Sequence, residues 1–545
     1  MSDHTEGGFA DHAAVHATAS TRGFLRVLRW SFAMESGRQT LSLAVAFILA
    51  AVLGPEAYGL VAMAMTYVLF VELVQQQGLS AAIVQRKELT RRHADTAFWM
   101  IVGSSGLLTL VSVGLSGWWA GLNRLPELQP VIMALSALVP VHALVIVQEA
   151  LLRRRMAYRA LAIRTFVAVS AGAAAGLSGA FLGWGVWALV AQQLTAAVVS
   201  VVVLWSVSGW RPRFGFSRAC ARELFGFSSG SFLSHFAVFV NRQADVLLIG
   251  FFFGPVVVGL YRFGMRLVEF LLQATSRPFQ SIALAELAPF QNDLPAFRRR
   301  LLRLLGLSAS LTVPAMGVLA GVAGPAVALL GAEWSSAVWP LRVLCVVGVV
   351  WALSLLDIAV LQALRRPHLG ATVSWLAAGL SAGSLVVAAL AVQGRPIGEQ
   401  VLGVATARAV VYGAAILLLH LIVLARYAGV GPATLVRAHA GTLASALTGA
   451  LVGVLVDGQV AGLGALTLPR LFAAGGSSVI AAGLVLLAVD TQARAAVRLV
   501  WRRAGAIRGG GSPQGRTEGS GLPSERMVVG SGEELASRGG GRHAG

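Results

Sequence analysis

The feature that most constrains this chain is a succession of long apolar runs. About fourteen of them, each about 20 residues long, follow one another from residue 30 to residue 489. Their approximate limits are 30–53, 57–77, 94–117, 128–151, 161–180, 184–208, 224–253, 256–276, 304–330, 336–361, 370–392, 399–425, 438–457 and 469–489. A helix of about 20 apolar residues crosses the hydrocarbon core of a bilayer and satisfies its own backbone hydrogen bonds there. The expected fold class is an all-α polytopic membrane protein with about 14 transmembrane helices. The connections average about 13 residues, too few for a folded catalytic domain, so the chain is not expected to be an enzyme.

Charge supports the same class. The 545 residues carry a formal net charge of +19, yet only 12% are charged and 56% are hydrophobic. A soluble nucleic-acid binder would spread such charge over a polar surface, so no nucleic-acid partner is expected. Of the 43 basic residues, 34 fall in the two tails and the even-numbered connections, and only Arg124, Arg395 and Arg470 fall in the odd-numbered ones. By the positive-inside rule both termini face the cytoplasm and the number of spans is even. Ahead of the first run, Arg22, Arg26 and Arg29 alternate with apolar residues, the pattern of an interfacial amphipathic helix. Asp3, Glu6 and Asp11 precede it, which suits a retained signal anchor better than a cleavable leader. From about residue 504 the chain is rich in Gly, Ser, Arg and Glu, too polar to bury a core.

Several chemistries lack their residues. Lys87 is the sole lysine and is followed by Glu88, so there is no phosphate-binding loop of the Gly-Lys-Ser/Thr type. Cys220 and Cys345 are far apart and lie by apolar segments, and the ten histidines show no metal-ligand spacing. No metal or cofactor is expected.

The sequence also repeats itself. G-P-E-A-Y-G-L at Gly54 returns as G-P-V-V-V-G-L at Gly254, and V-E-L-V-Q-Q at Val71 returns as V-E-F-L-L-Q at Val268. Six spans separate the copies, so both enter the membrane in one direction. Their axis would lie along the membrane normal, as in transporters whose site lies between two parallel halves.

Six arginines remain at membrane depth: Arg38, Arg242, Arg262, Arg266, Arg342 and Arg408. Each costs about 2.5–3.5 kcal/mol at a helix centre, so a cavity or a partner must receive it. Arg38 and Glu72 lie at matching depth, about 22 Å from the shared outer turn, and are placed to pair. On the second copy Asp245 and Arg242 precede the turn, while Arg262, Arg266 and Glu269 follow it on one helix. Two readings stand. The charges neutralise one another and lock the hairpins, or they line a cationic cavity for an anionic headgroup, because guanidinium binds phosphate oxygens bidentately. His142, His235 and His420 are further intramembrane groups that carry protons or make single interhelical bonds.

Several strings resemble one family. They are L-G-P-E-A-Y-G-L from Leu53, Q-G-L-S-A-A-I-V-Q-R-K-E-L-T from Gln77, S-G-W-R-P-R from Ser208, N-R-Q-A-D-V-L-L-I-G from Asn241, G-L-Y from Gly259 and L-L-G-A-E-W from Leu329. Together they resemble the polysaccharide transporters and Wzx-type flippases of the multidrug/oligosaccharidyl-lipid/polysaccharide exporter superfamily. The resemblance implies two pseudo-symmetric six-helix lobes around a central cavity, with two C-terminal helices beyond them. On this chain the divisions are an N-terminal tail at 1–29, lobes at 30–208 and 209–425, additional helices at 426–490 and a tail at 491–545. It further implies flipping of polyprenyl-pyrophosphate-linked oligosaccharide across the bacterial cytoplasmic membrane by alternating access. Membrane lipids, a polysaccharide polymerase and export machinery are the implied partners. Arg38, Arg242, Arg262 and Arg266 would bind substrate, with Glu72, Asp245 and Glu269 as charge or coupling partners. The alternatives are a gradient-driven drug or cation antiporter of the same superfamily, a membrane polymerase or glycosyltransferase, and an assembly scaffold with no transport role.

Overall fold

The computed structural model describes residues 21–76, 83, 89–464, 466–490 and 494, with side chains from residue 37 onward except at 76, 224–235, 237, 238, 241 and 367. The side chains of Arg22, Arg26, Arg29 and His235, most of the string from Gln77, and the Gly-rich tail lie outside the described residues. The described elements are helices, with no strand among them. In chain order they are α1 (Thr21–Gln76), α2 (Arg91–Leu122), α3 (Leu128–Leu135), α4 (Leu138–Arg154), α5 (Tyr158–Phe181), α6 (Val186–Val207), α7 (Arg218–Phe253), α8 (Pro255–Thr275) and α9 (Arg277–Leu287). There follow α10 (Leu294–Gly321), α11 (Ala323–Ala328), α12 (Val338–Ser354), α13 (Asp357–Ala363), α14 (Pro367–Val392), α15 (Ile397–Val411), α16 (Leu417–Tyr427), α17 (Pro432–Gly462) and α18 (Thr467–Val489).

The two Gly-Pro repeats explain how the hairpins turn. Gly54 has φ 75° and ψ 172°, and Gly254 has φ 81° and ψ −171°. Both occupy a positive-φ region that side chains with a Cβ avoid. Pro55 and Pro255 then start the returning helices, where a missing N–H costs nothing. At Gly54 the chain kinks within α1, so both of the first two apolar runs fall in that element.

Eleven helices among the described residues are long and apolar enough to cross a membrane. The fourteen runs exceed that number for three reasons. α1 counts once for two runs, α8 carries three charged residues and does not meet the measure, and part of α7 lies outside the residues whose side chains are described. These last two helices carry Arg242, Asp245, Arg262, Arg266 and Glu269. The outer surfaces are apolar: Leu110 on α2, Val202 on α6 and Leu451 on α17 are 74%, 63% and 63% exposed. Such faces suit lipid, and the protein is a multi-pass membrane protein.

The main core forms where α1 packs against α8 and α8 against α12, around Leu49, Val68, Val258, Phe263, Trp334 and Leu344. At its outer end α1 crosses α8 at two glycines. A Cβ on Gly59 would lie 1.8 Å from the Pro255 carbonyl oxygen, and one on Gly259 would lie 1.9 Å from that of Pro55. The contact is reciprocal, as a two-fold axis between the copies requires. The repeat found in sequence is thus also a physical interface.

Candidate functional site

Beneath the crossing lies a cavity of about 500 Å³ between α1, α6 and α8. Three arginines, Arg38, Arg262 and Arg266, face it together with one acid, Glu269. Arg262 and Arg266 are four residues apart on α8 and so share a face. Arg266 bridges the repeat copies. Its Nη1 donates to the Tyr58 hydroxyl at 3.0 Å, and its Nη2 donates to Ser42 Oγ at 3.0 Å and to the Ser42 carbonyl at 3.4 Å. Arg262 lines the wall without donating a hydrogen bond to any described residue. Its guanidinium is therefore available to a ligand.

An aromatic layer of Phe47, Tyr58, Phe263 and Trp334 caps the outer side, with ring centroids 5.0–6.3 Å apart. The Trp334 indole N–H donates to the Ala50 carbonyl at 3.1 Å. Gln39 and Gln273 hydrogen-bond across the inner end, joining α1 to α8. Beside the cavity, and sharing Leu43 and Phe270 with it, runs an apolar groove of about 510 Å³. α10 and α18 supply its far wall through residues such as Pro314, Val318, Val479 and Leu486.

The structure gathers four of the seven charged residues singled out from sequence and separates three. Glu72 is buried against His142, with Oε1 to Nδ1 at 2.6 Å, rather than paired with Arg38. Asp245 is buried against Arg408, with Oδ2 to Nη1 at 3.1 Å, and leaves the cavity group. Arg242 is exposed on α7 and acts on Arg277 at the inner end. Burial first, and then the charge of Arg242, holds Arg277 below the ordinary arginine range, while Glu269 opposes the shift. Among the described residues the cavity is thus lined by three arginines and one glutamate. Tyr58, Ser42, Gln39, Gln192, Gln193 and Gln273 complete the polar wall, although none of them is charged. Their signal was available as uncharged polar residues inside apolar runs, notably the Gln192–Gln193 pair. Among the described residues no group of His, Cys, Asp and Glu could hold a metal ion.

Comparison with known proteins places the chain in a family. The profile of a family described as polysaccharide biosynthesis protein matches residues 48–339, more than half of the chain. The chain belongs to this family. The succinoglycan biosynthesis transport protein ExoT of Rhizobium meliloti is 28% identical over 324 residues, covering 59% of this chain and 65% of ExoT. The lipopolysaccharide biosynthesis protein WzxC of Escherichia coli is 24% identical over 317 residues, covering 56% and 62%. The teichuronic acid biosynthesis protein TuaB of Bacillus subtilis is 24% identical over 312 residues, covering 55% and 63%. The chain thus spans under two thirds of the length of these relatives. Among solved structures, the lipid II flippase MurJ in an inward closed conformation superimposes with a TM-score of 0.63 at 13% identity, over 84% of this chain and 97% of MurJ. An inward-facing multidrug transporter of the MATE family gives 0.53 at 16% identity, over 70% and 93%. Both share the fold.

Proposed function

We propose that this protein is a flippase that moves a polyprenyl-pyrophosphate-linked oligosaccharide across the cytoplasmic membrane for cell-surface polysaccharide synthesis. One observation carries the reading: an arginine-lined cavity and an apolar groove of similar volume lie side by side and share Leu43 and Phe270. An amphiphile fits this pair of spaces. Its pyrophosphate meets Arg262, Arg266 and Arg38, and its hydrocarbon chain follows the groove. Glu269 limits the excess positive charge while the cavity is empty. The names of ExoT and WzxC, a transport protein and a lipopolysaccharide biosynthesis protein, support the same reading.

The lobes at 30–208 and 209–425 move against each other about the Gly59/Gly259 crossing, exposing the cavity to one face and then the other. Both termini are cytoplasmic in this reading, which the excess of basic residues in the tails and even-numbered connections supports. A polymerase and export machinery receive the product. A cation substrate would favour a cavity dominated by acids, and among the described residues this one has three arginines and one glutamate. The test is deletion of the gene with a leaflet-resolved assay of lipid-linked sugars. Intermediate accumulates on the cytoplasmic leaflet in the deletion strain and is cleared by the restored gene. Normal export in a strain lacking any second such transporter refutes the reading.

A further inference from the structure

A second cluster of ionisable groups lies away from the cavity, toward the ends of the helices opposite the two Gly-Pro turns. Asp357 opens α13, His420 lies on α16 and His439 on α17, and they are 5%, 2% and 5% exposed. Asp357 Oδ1 and His420 Nδ1 are 2.7 Å apart. Neither ring nitrogen of His439 has a hydrogen-bond partner among the described residues, although the side chain is buried. His420 and Asp490, at the end of α18, both act on His439 electrostatically. The other charged or histidine groups on the packed elements are Arg277 and Glu286 on α9, Arg298, Arg299, Arg300 and Arg303 on α10, Arg342 on α12, His368 on α14, Arg426 on α16, Arg437 and Asp457 on α17 and Arg470 on α18. Glu286 is taken by Arg300 at 2.7 Å.

A buried carboxylate and imidazole in contact hold one proton with no net charge. Removing it leaves a bare carboxylate in a medium of low dielectric, and adding another leaves an unbalanced imidazolium. The proton therefore leaves when the surroundings change rather than freely. His439 supplies a second acceptor with no competing bond.

A device for changing the surroundings stands four residues before His420. Tyr412–Ile416 is one turn of π-helix between α15 and α16. Such a turn holds one residue more than an α-helical turn and recurs at functional sites. If it relaxes to α-helix, one flank rotates by about 100° and shifts by about 1.5 Å relative to the other. Arg408 lies on one flank and is bound to Asp245, while His420 lies on the other and is bound to Asp357. The two pairs cannot both keep their register through that change.

We propose that Asp357 and His420, with His439 as second acceptor, form a proton-binding site that drives the transport cycle through the π turn. This rests on the flippase reading and names the ion that powers it. One proton is bound between Asp357 Oδ1 and His420 Nδ1 in one conformer and is released to water in the other. Only N–H and O–H bonds change.

The test uses the full chain with Gln39→Cys and Gln273→Cys, whose side chains meet at the inner end of the cavity. A disulfide or a short thiol cross-linker locks one conformer, and reduction or cleavage frees it. Deuterium exchange at histidine C2, read by mass spectrometry from pH about 5 to about 8, gives the titration midpoint of each histidine in place. We expect the His420 midpoint to differ by about one pH unit, tenfold in proton affinity, between locked and free protein. Asp357→Asn should abolish that difference. Equal midpoints in locked and free protein overturn the proposal, as does a difference that survives Asp357→Asn. The measurement needs no lipid-linked sugar. Equal midpoints beside defective export in cavity variants overturn only the proton site, whereas normal export in those variants overturns the flippase reading.

Discussion

Replacing Gly59 by alanine tests the repeat interface at its tightest point. The added Cβ would sit 1.8 Å from the Pro255 carbonyl oxygen, and ordinary contact begins near 3.4 Å. The obstacle is backbone, so no side-chain rotation relieves it and the two helices must part by about 1.6 Å. Overpacking of this kind costs about 1–3 kcal/mol, and loss of the close backbone contact places the value toward the upper end. Gly259→Ala meets the same obstacle at 1.9 Å from the Pro55 carbonyl and should cost a similar amount. The double variant should cost much less than the two losses added, because one separation of the helices relieves both clashes. Gly103, in α2 with nothing within 4 Å of its Cβ position, is the control, and alanine there should be neutral or stabilising by about 0.5–1 kcal/mol. The assay is the thermal unfolding midpoint of the purified protein in detergent. Additive losses at Gly59 and Gly259, or losses no larger than at Gly103, would refute the reciprocal crossing.

Two further variants test the elements around the cavity. Arg408→Gln leaves the Asp245 carboxylate buried without its partner and should destabilise by about 3–5 kcal/mol, while Asp245→Asn combined with Arg408→Gln should recover much of it; a double variant as unstable as the single one contradicts the pairing. Trp334→Phe keeps most of the aromatic layer and removes the bond to Ala50, with a loss of about 1 kcal/mol, whereas Trp334→Ala empties a buried site and should lose about 3–5 kcal/mol. Similar thermal midpoints for the two Trp334 variants would show that the ring does not pack the cap.

Much of the fold was legible in sequence because membrane insertion imposes strong local rules. Apolar runs of sufficient length had to be helices, and the paired Gly-Pro strings marked both hairpins and their equivalence. The depth of Arg38, Arg262, Arg266 and Glu269 was readable from their distance to those turns, and the structure brings these four to one cavity. Partner choice was not readable, because it depends on how each helix is rotated and which neighbour it meets. Asp245 finds Arg408 at a separation of 163 residues, and Glu72 finds His142 at 70. No local pattern encodes either pairing. The π turn at Tyr412 was equally hidden, since it changes the hydrogen-bond ladder without altering the apolar pattern. The uncharged cavity wall escaped for a different reason: glutamines and a serine in apolar runs carry a weaker insertion cost than arginine.

The central claim is that the cationic cavity receives the substrate's phosphates, and Arg262 tests it most directly because its guanidinium serves no described neighbour. The measurement is export of lipid-linked oligosaccharide in cells carrying Arg262→Ala, at matched membrane abundance and with the thermal midpoint of the purified variant. Loss of a charged hydrogen-bonding contact of about 1.5–3 kcal/mol predicts export reduced by about tenfold or more, with intermediate held on the cytoplasmic leaflet and stability unchanged. Normal export together with a lowered thermal midpoint would show that Arg262 serves the fold and would contradict the account.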